Sequence, residues 1–261
     1  YKCISVKNDL WYEYNGSYWE NIGASATSLN LGISTHVVDV YHKQIHYYNQ
    51  LMENEKDNVL KEQYKSKASS LLQITYKLRN TRHIGTIYNR LKHMFYDAKF
   101  VGKLDMNSYL LGFNNGVYDL QKSEFRDGLP NDYVSLSCGY DYVPFEDTDP
   151  LIVEVFGFLC KVFPDKELMN YVLNVLSTFL QGGNIHEKFY IFTGSGGNGK
   201  SKLLELLQKS LGEYYRGISN TVLLVGGRPK ASNAASPEIA VLRGRRMTSA
   251  QEPNEGDKFN M

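Results

Sequence analysis

The spacing of apolar and polar residues divides the first hundred residues into a short β-rich start and a long helical stretch. Within residues 9–22, two aromatic-rich runs flank Asn15-Gly16. This pattern predicts a β-hairpin, because Asn-Gly favours the tight turn of such hairpins. Residues 34–100 contain no proline and one glycine, Gly85, and apolar residues recur there at helical spacing. The helical spacing and the lack of proline predict that this segment is mostly helical.

Further along the chain, strand and helix patterns alternate with loops. Residues 109–120 predict strand, turn and strand around Asn-Asn-Gly, and residues 126–150 predict a loop with one short strand. The acidic, proline-bounded segment 144–150 is the predicted domain boundary. Apolar residues return at helical spacing in 151–181, which predicts two helices.

The most specific motif is the glycine-rich loop in KFYIFTGSGGNGKS, residues 188–201. Residues 188–193 predict a buried strand, and residues 201–212 predict an amphipathic helix that ends at Gly212. Between them the pattern G-x-x-x-x-G-K-S fits without a gap. The predicted phosphate-binding residues are Gly194, Ser195, Gly196, Gly197, Asn198, Gly199, Lys200 and Ser201.

The chemistry of such a loop explains its residue types. Glycine permits the backbone angles that turn successive N–H groups toward a polyphosphate, and the helix N-terminus adds donors and a favourable dipole. Lys200 is expected to contact the β- and γ-phosphates of ATP, and Ser201 to ligate Mg²⁺. Binding does not by itself imply hydrolysis.

Hydrolysis also requires an acid near the metal ion. Residues 247–250 predict a second buried strand, and Glu252 follows its carboxyl end, where open α/β sheets place their chemistry. Glu252 is therefore the candidate catalytic acid and a second Mg²⁺ ligand. Glu255 and Asp257 compete for this role, and a solvated acidic loop is the alternative interpretation.

Composition restricts the class of protein. The 261 residues are 42% hydrophobic and 22% charged, with a formal net charge of +1. These values are typical of a globular protein, and no apolar run is long enough for a membrane span. Three scattered cysteines favour a reducing, intracellular compartment. The chain begins at Tyr1 without a signal-peptide pattern, and we expect it to be a fragment.

Charge is distributed unevenly despite the low total. Residues 61–99 contain nine Lys or Arg and two acids, a net charge of +7. Two interpretations remain open: a solvated helix face, or a surface for DNA or an acidic neighbour. The aromatic hairpin likewise has two interpretations, a small aromatic core or a platform that stacks on single-stranded bases.

With these motifs together, the sequence resembles the superfamily 3 helicases of large DNA viruses, and within them the poxvirus-type primase–helicase family. The resemblance covers nearly the whole chain, and the Gly-Asn-Gly-Lys-Ser ending of the loop is its most specific part. The segments that carry it are LLGFNNGVYDL, NDYVS, KFYIFTGSGGNGKS and SPEIAVLRGRRMTSAQEPNEGDKFN.

The resemblance implies a fold and an assembly. It implies a collar-type, mostly helical α+β domain over 1–147, followed by a P-loop NTPase of AAA+ type over 151–261. The latter comprises a helical lead-in (151–185) and a parallel-sheet core (186–261), truncated at its C-terminus. It also implies an ATP-hydrolysing DNA helicase that forms a homo-hexameric ring around single-stranded DNA, with a primase domain further upstream. The expected location is the viral replication site in the host cytoplasm.

Two departures from that family affect the expected activity. The resemblance assigns Glu252 as the acid of the Walker B motif, and many such motifs have a second acid where this chain has Gln251. The sensor and arginine-finger residues are expected beyond Met261. We therefore expect the 261-residue chain alone to be inactive as an ATPase. Arg243, Arg245 and Arg246 are interpreted as charges flanking a strand and not as the finger.

Other functions fit parts of the same sequence. A nucleotide-switched assembly or origin-binding module would need the loop but no hydrolysis, and Gln251 favours it. A phage or plasmid primase–helicase is a close variant of the viral interpretation. A P-loop kinase is disfavoured, since no arginine-rich lid follows the loop and about 185 residues precede it.

Overall fold

The computed structural model describes residues 1–184, 187–194, 196–224, 237–250, 256 and 258. The protein is a mixture of helices and strands that divides into two compact units. The N-terminal unit comprises residues 1–13 and 20–101, and the C-terminal unit comprises residues 14–19 and 102–261. The domain boundary that the sequence predicts at 144–150 concerns functional domains and not these compact units. It stays a prediction.

Residues 1–103 contain a three-stranded sheet followed by helices. The sequence predicts the long helices and two of the three strands, but not the first strand. The elements are β1 (Lys2–Ser5), β2 (Leu10–Tyr14), β3 (Trp19–Ala24), α1 (Thr27–Gly32), a π-helical segment (Ile33–Val37), α2 (Val38–Asn54), α3 (Asn58–Arg79), α4 (Thr81–Met94) and α5 (Phe100–Lys103). The sheet order is β1-β2-β3, and β1 pairs antiparallel with β2. The Asn15 side chain accepts hydrogen bonds from the N–H groups of Ser17 and Tyr18 in the predicted turn.

The core of the N-terminal unit surrounds the fully buried indole of Trp11. Trp19 is buried as well, but it belongs to the C-terminal unit, so burial is confirmed for both tryptophans and a single shared aromatic core is not. The Asp9 carboxylate accepts hydrogen bonds from Trp11 Nε1 and the Tyr88 hydroxyl, both at 2.8 Å. It also lies 3.2 Å from Lys92 Nζ. Burial opposes ionisation of Asp9, but the hydrogen bonds from Trp11, Tyr88 and Lys92 outweigh it and lower its pKa.

The helices of the N-terminal unit are delimited by capping side chains. Asp57 accepts a hydrogen bond from Val59 N at the start of α3, and Asn80 accepts one from Arg82 N at the start of α4. Each bond satisfies one of the N–H groups that lack a partner in the first helical turn. Asn80 therefore ends α3 and begins α4 without a loop between them.

The C-terminal unit places helices after a second antiparallel sheet. Its elements are β4 (Leu110–Phe113), β5 (Gly116–Asp119), β6 (Glu124–Arg126), α6 (Pro150–Val162), α7 (Lys166–Thr178), α8 (Lys200–Leu211), β7 (Tyr215–Ile218), α9 (Pro237–Ala240) and β8 (Met247–Ala250). The sheet order is β4-β5-β6, and Phe113 pairs with Gly116 beside the predicted Asn-Asn-Gly turn. The sequence predicts all of these elements except β7, α9 and the position of β6.

One predicted element is wrong. Residues 188–193 form no strand, and the side chains of Phe189 and Ile191 are 72% and 65% exposed. A strand is stable only when neighbouring strands satisfy its backbone and cover its apolar face. The parallel strand pair that the structure describes, β7–β8, does not include these residues. The predicted parallel sheet of a P-loop core is therefore not observed there.

The buried Asp9 network generates a stability prediction. Asp9→Ala should lower the free energy of unfolding by about 3 kcal/mol, because it leaves two buried donors without an acceptor. Asp9→Asn should cost about 1 kcal/mol, since it keeps the acceptor and removes only the charge. Denaturant unfolding followed by tryptophan fluorescence measures both.

The pH dependence of this effect follows from the lowered pKa of Asp9. A carboxyl with a lowered pKa stabilises the fold above its unfolded-state pKa and loses that contribution as the pH falls through the folded-state value. The difference between the wild type and Asp9→Asn should therefore disappear in acid. Equal stability of all three proteins at neutral pH would contradict this account.

Candidate nucleotide-binding site

The glycine-rich loop adopts backbone angles that require glycine. Gly194 has φ 153°, Gly197 has φ 77° and Gly199 has φ 86°. Residues with side chains rarely adopt these angles, so three of the four predicted loop glycines are conformationally necessary. The remaining glycine, Gly196, has open space around it. Ser195, the other predicted loop residue, lies outside the described residues.

The ammonium group of Lys200 connects the two ends of the loop. Its Nζ donates hydrogen bonds to Gly194 O at 3.0 Å and to Asn198 Oδ1 at 2.9 Å. A Cβ on Gly194 would lie 2.2 Å from Asn198 Nδ2, so the Asn198 side chain occupies space that only glycine leaves open. Both acceptors are uncharged oxygens. Hydrogen bonds from an ammonium to an anionic oxygen are stronger, so a phosphate can replace them.

Helix α8 begins at the end of the loop. Gly199 is its N-cap residue, and Leu203 N donates to Gly199 O at 2.9 Å. Buried Leu203 and Leu211 fix the inner face of the helix. The first N–H groups of a helix have no intrahelical acceptor, and with the helix dipole they attract anions. The predicted ligand Ser201 lies in this first turn and is exposed.

The loop also packs closely against α6. A Cβ on Gly199 would lie 2.7 Å from Val162 Cγ2, at the C-terminal end of α6. Gly199 therefore needs to be glycine for two reasons, its positive φ and this close contact. The predicted helical lead-in thus touches the loop that it precedes.

Strand β8, which the sequence predicts, pairs in parallel with β7. Tyr215 aligns with Met247 and Ile218 with Ala250. The hydroxyl groups of Tyr215 and Ser249 are hydrogen-bonded across this pair. The predicted acid Glu252, Gln251 and the competing Glu255 and Asp257 lie outside the described residues.

Arg246 anchors the start of β8. Its guanidinium donates to Ser108 O at 2.6 Å and Leu110 O at 2.7 Å, and it lies 5.3 Å from the centre of the Tyr214 ring. Its backbone N–H donates to Tyr214 O at 2.8 Å. Burial lowers the pKa of Arg246, and its Nε has no hydrogen-bond partner among the described residues.

The other two arginines of this segment also bind backbone carbonyls. Arg243 Nη2 donates to Gly102 O at 2.9 Å, and Arg245 Nη1 donates to Glu213 O. Each of these arginines therefore has a structural role, because it binds a backbone carbonyl of its own chain.

Sequence reasoning missed several residues that shape this region. Asn198 was assigned to the loop, but its contacts with Gly194 and Lys200 were not anticipated. Val162 and Tyr214 were not identified at all. The only available signal was the asparagine between two glycines, since the other contacts join residues distant in sequence.

The site has features that are typical of polyphosphate binding. Three loop glycines have positive φ angles, a lysine ammonium lies beside them, and a helix N-terminus follows. Among the residues that the structure describes, no group of three His, Cys, Asp or Glu side chains could hold a metal ion. In the same residues, no helix has the length and apolar character to span a membrane.

Comparison with known proteins identifies the family. The family described as "D5 N terminal like" matches residues 1–164. The whole chain is 37% identical to "Putative helicase L207/L206" of Acanthamoeba polyphaga mimivirus and covers 27% of that protein. Over 90% of its length it is 28% identical to "Putative helicase 121R" of Invertebrate iridescent virus 3, again covering 27%.

A third relative carries a different name. Over 96% of its length the chain is 24% identical to "Putative primase C962R" of African swine fever virus (isolate Warthog/Namibia/Wart80/1980), of which it covers 27%. The chain thus spans about a quarter of the length of the curated relatives it matches. The chain therefore belongs to the D5 N terminal like family, and its resemblance to the primase–helicases of large DNA viruses is confirmed.

Proposed function

We propose that this chain is the ATP-binding part of a DNA helicase that acts in viral DNA replication. The observation that carries the proposal is the position of Lys200, whose ammonium lies against a glycine-rich loop at the N-terminus of α8. The names of the relatives from three groups of large DNA viruses support the replication context.

Binding would use groups that are already in place. The β- and γ-phosphates of ATP would replace Gly194 O and Asn198 Oδ1 as acceptors for Lys200. The N–H groups of the loop and of the first turn of α8 would donate to the remaining phosphate oxygens. The described first turn contains no acidic residue that would repel them.

Hydrolysis would be an in-line attack of water on the γ-phosphorus. Lys200 stabilises the charge that develops on the phosphate oxygens, and Glu252 is proposed to orient the attacking water. Ser201 and Glu252 are the proposed ligands of Mg²⁺. When bound, this ion would neutralise part of the negative charge of the phosphates. We also propose that residues 186–261 belong to a P-loop core with a parallel sheet, because the glycine-rich loop, Lys200 and α8 follow one another as in that fold.

The assembly and partners follow from the same proposal. The chain would act within a homo-hexameric ring that translocates on single-stranded DNA, with a collar-type domain before the motor and a primase domain upstream. The reducing interior of the host cell, at the site of viral replication, is the proposed location. It fits three cysteines that are free, two of them buried.

Removal of the Lys200 ammonium tests nucleotide binding directly. Lys200→Ala should weaken binding of ATP to this chain by about 10- to 150-fold, because a hydrogen bond to a charged group contributes about 1.5–3 kcal/mol. Titration with a fluorescent ATP analogue in the presence of Mg²⁺ measures the affinity.

Lys202→Ala is the matched control for this experiment. Lys202 lies two positions later on α8, is exposed, and pairs with Glu205 Oε2 at 2.9 Å. Its removal deletes the same charge from the same helix and should leave the affinity within about two-fold of the wild type. Equal affinities of the Lys200 and Lys202 variants would overturn the assignment of Lys200.

The backbone of the loop provides an independent test. Gly199→Ala should reduce ATP affinity strongly, since alanine is strained at φ 86° and its Cβ would clash with Val162. Adding Val162→Ala removes the clash but not the strain, so affinity should recover only in part. Gly196→Ala, where a Cβ has open space, should bind as the wild type does. Equal loss in the Gly196 and Gly199 variants would show that the loop geometry is not used.

Turnover separates the motor from the nucleotide switch. In the full-length gene product, single-stranded DNA should stimulate ATP hydrolysis, and both Lys200→Ala and Glu252→Gln should abolish it. Glu252→Gln should retain ATP binding, because the acid acts on the attacking water. If the wild type binds nucleotide but does not hydrolyse it, the protein is a nucleotide-switched module and not a motor.

A further inference from the structure

One exposed face of α4 is rich in side chains that can donate hydrogen bonds. We define the donor face as the exposed residues that recur along this helix at helical spacing, namely Arg82, His83, Thr86, Asn89, Arg90 and His93. They extend over about three turns, or about 16 Å along the helix axis. The face contains no acidic side chain, and the exposed Met94 in the last turn of α4 borders it.

The donor face is held rigidly, because the opposite face of α4 is packed. Ile84, Ile87 and Leu91 pack against the core that contains Ile33, Val38 and Leu78. Tyr88 is buried beside Trp11, and its hydroxyl donates to Asp9 at 2.8 Å. The orientation of the donor face is thus fixed by the fold of the N-terminal unit.

The charge of this region is not explained by stability of the helix. No acidic residue occurs between Glu62 and Asp97, a segment that includes seven Lys or Arg residues. Arg82 and His83 lie in the first turn of α4, where the helix dipole favours negative charge. An isolated helix would be more stable with acids at these positions, so the stability of the helix does not explain the cations.

The cations of the donor face have no acidic partner. Within the part of the chain that the structure describes, neither Arg82 nor Arg90 forms an ion pair, whereas Lys92 pairs with Asp9 on the packed side of the helix. Solvated helix faces usually mix both signs of charge. A face with fixed positive charges and no acid is complementary to a polyanion.

We propose that the donor face of α4 binds the phosphate backbone of a nucleic acid. Arg82 and Arg90 supply the two fixed positive charges, and Asn89 and the histidines supply further donors to phosphate oxygens. The Thr86 hydroxyl already donates to Arg82 O at 3.2 Å. The inference rests on the N-terminal unit alone and does not depend on nucleotide binding at the glycine-rich loop.

The composition of the face favours a nucleic acid over an acidic protein. The centres of protein–protein interfaces are enriched in aromatic and apolar residues, whereas at the donor face the exposed apolar Met94 lies at the end and not at the centre. Duplex DNA carries one charge per about 1.7 Å of axis, so several phosphates fall within the length of the face. Contacts to phosphates carry no sequence information, so binding is expected to be independent of sequence.

The test compares two double variants of this chain, without nucleotide. Arg82→Ala/Arg90→Ala removes two charges from the donor face. Lys65→Ala/Lys122→Ala removes two exposed charges that are paired with Glu62 and Glu124. Fluorescence anisotropy measures the affinity for single-stranded and duplex DNA of matched length, as salt is raised from about 50 to 200 mM.

Loss of two phosphate contacts should reduce the slope of log K against log salt by about 1.8 for duplex and about 1.4 for single strands. In about 0.1 M salt this corresponds to affinities about 60-fold and about 25-fold weaker. The control variant should bind within about three-fold of the wild type. The DNA form for which Arg82→Ala/Arg90→Ala loses more affinity is the form that the donor face contacts.

Several outcomes would overturn the proposal. They are equal losses in the two double variants, no loss in either, or binding of the face to an acidic polypeptide in preference to DNA. Circular dichroism shows whether α4 remains folded, as expected for alanine on an exposed helix face. ATP affinity should be unchanged in Arg82→Ala/Arg90→Ala. A failure here is therefore distinguishable from a failure of the glycine-rich loop to bind nucleotide.

Discussion

The C-terminal unit depends on the buried side chain of Tyr214. Its hydroxyl accepts a hydrogen bond from Gly112 N and donates one to Leu136 O, both at 2.8 Å, so both of its hydrogen-bonding functions are used. A Cβ on Gly112 would lie 2.4 Å from Leu136 O, so this approach is possible only with glycine. One phenol thereby joins the sheet that contains β4 to the segment that follows α8. An unpaired buried donor or acceptor here would cost about 1–3 kcal/mol, which makes the arrangement specific.

The same residue determines where the candidate catalytic segment begins. Tyr214 O accepts the backbone N–H of Arg246, and the Tyr214 ring lies beside the guanidinium of Arg246. The start of β8 is therefore fixed to the end of α8, the helix that begins at Lys200. A short path through α8, Tyr214 and β8 connects the proposed phosphate-binding end with the strand that leads to Glu252. Replacing a buried charge such as Arg246 would leave its carbonyl partners unsatisfied, so the path resists substitution.

Local sequence signals predicted most of the elements, and long-range contacts account for what was missed. Asn15-Gly16 and the capping residue Asn80 act within a few positions, so their turn and helix boundary are encoded locally. Strand β7 has no alternating pattern and exists because it pairs with β8. Residues 188–193 have a strand-like composition but no described partner strand, so composition alone was misleading there. In the loop, the motif predicted the role of Lys200, whereas the acceptors that hold it depend on the folded backbone.

The contact between Gly194 and Asn198 has a consequence for how such loops vary in evolution. The amide of Asn198 lies where any side chain on residue 194 would be, since a Cβ there would approach to 2.2 Å. Residue 194 is therefore restricted twice, by its φ of 153° and by the amide that fills this space, so a smaller residue at 198 does not by itself admit a side chain at 194. Among natural sequences residue 194 should stay glycine even where residue 198 varies, and a loop designed without the Asn198 amide would lose an acceptor that holds its lysine.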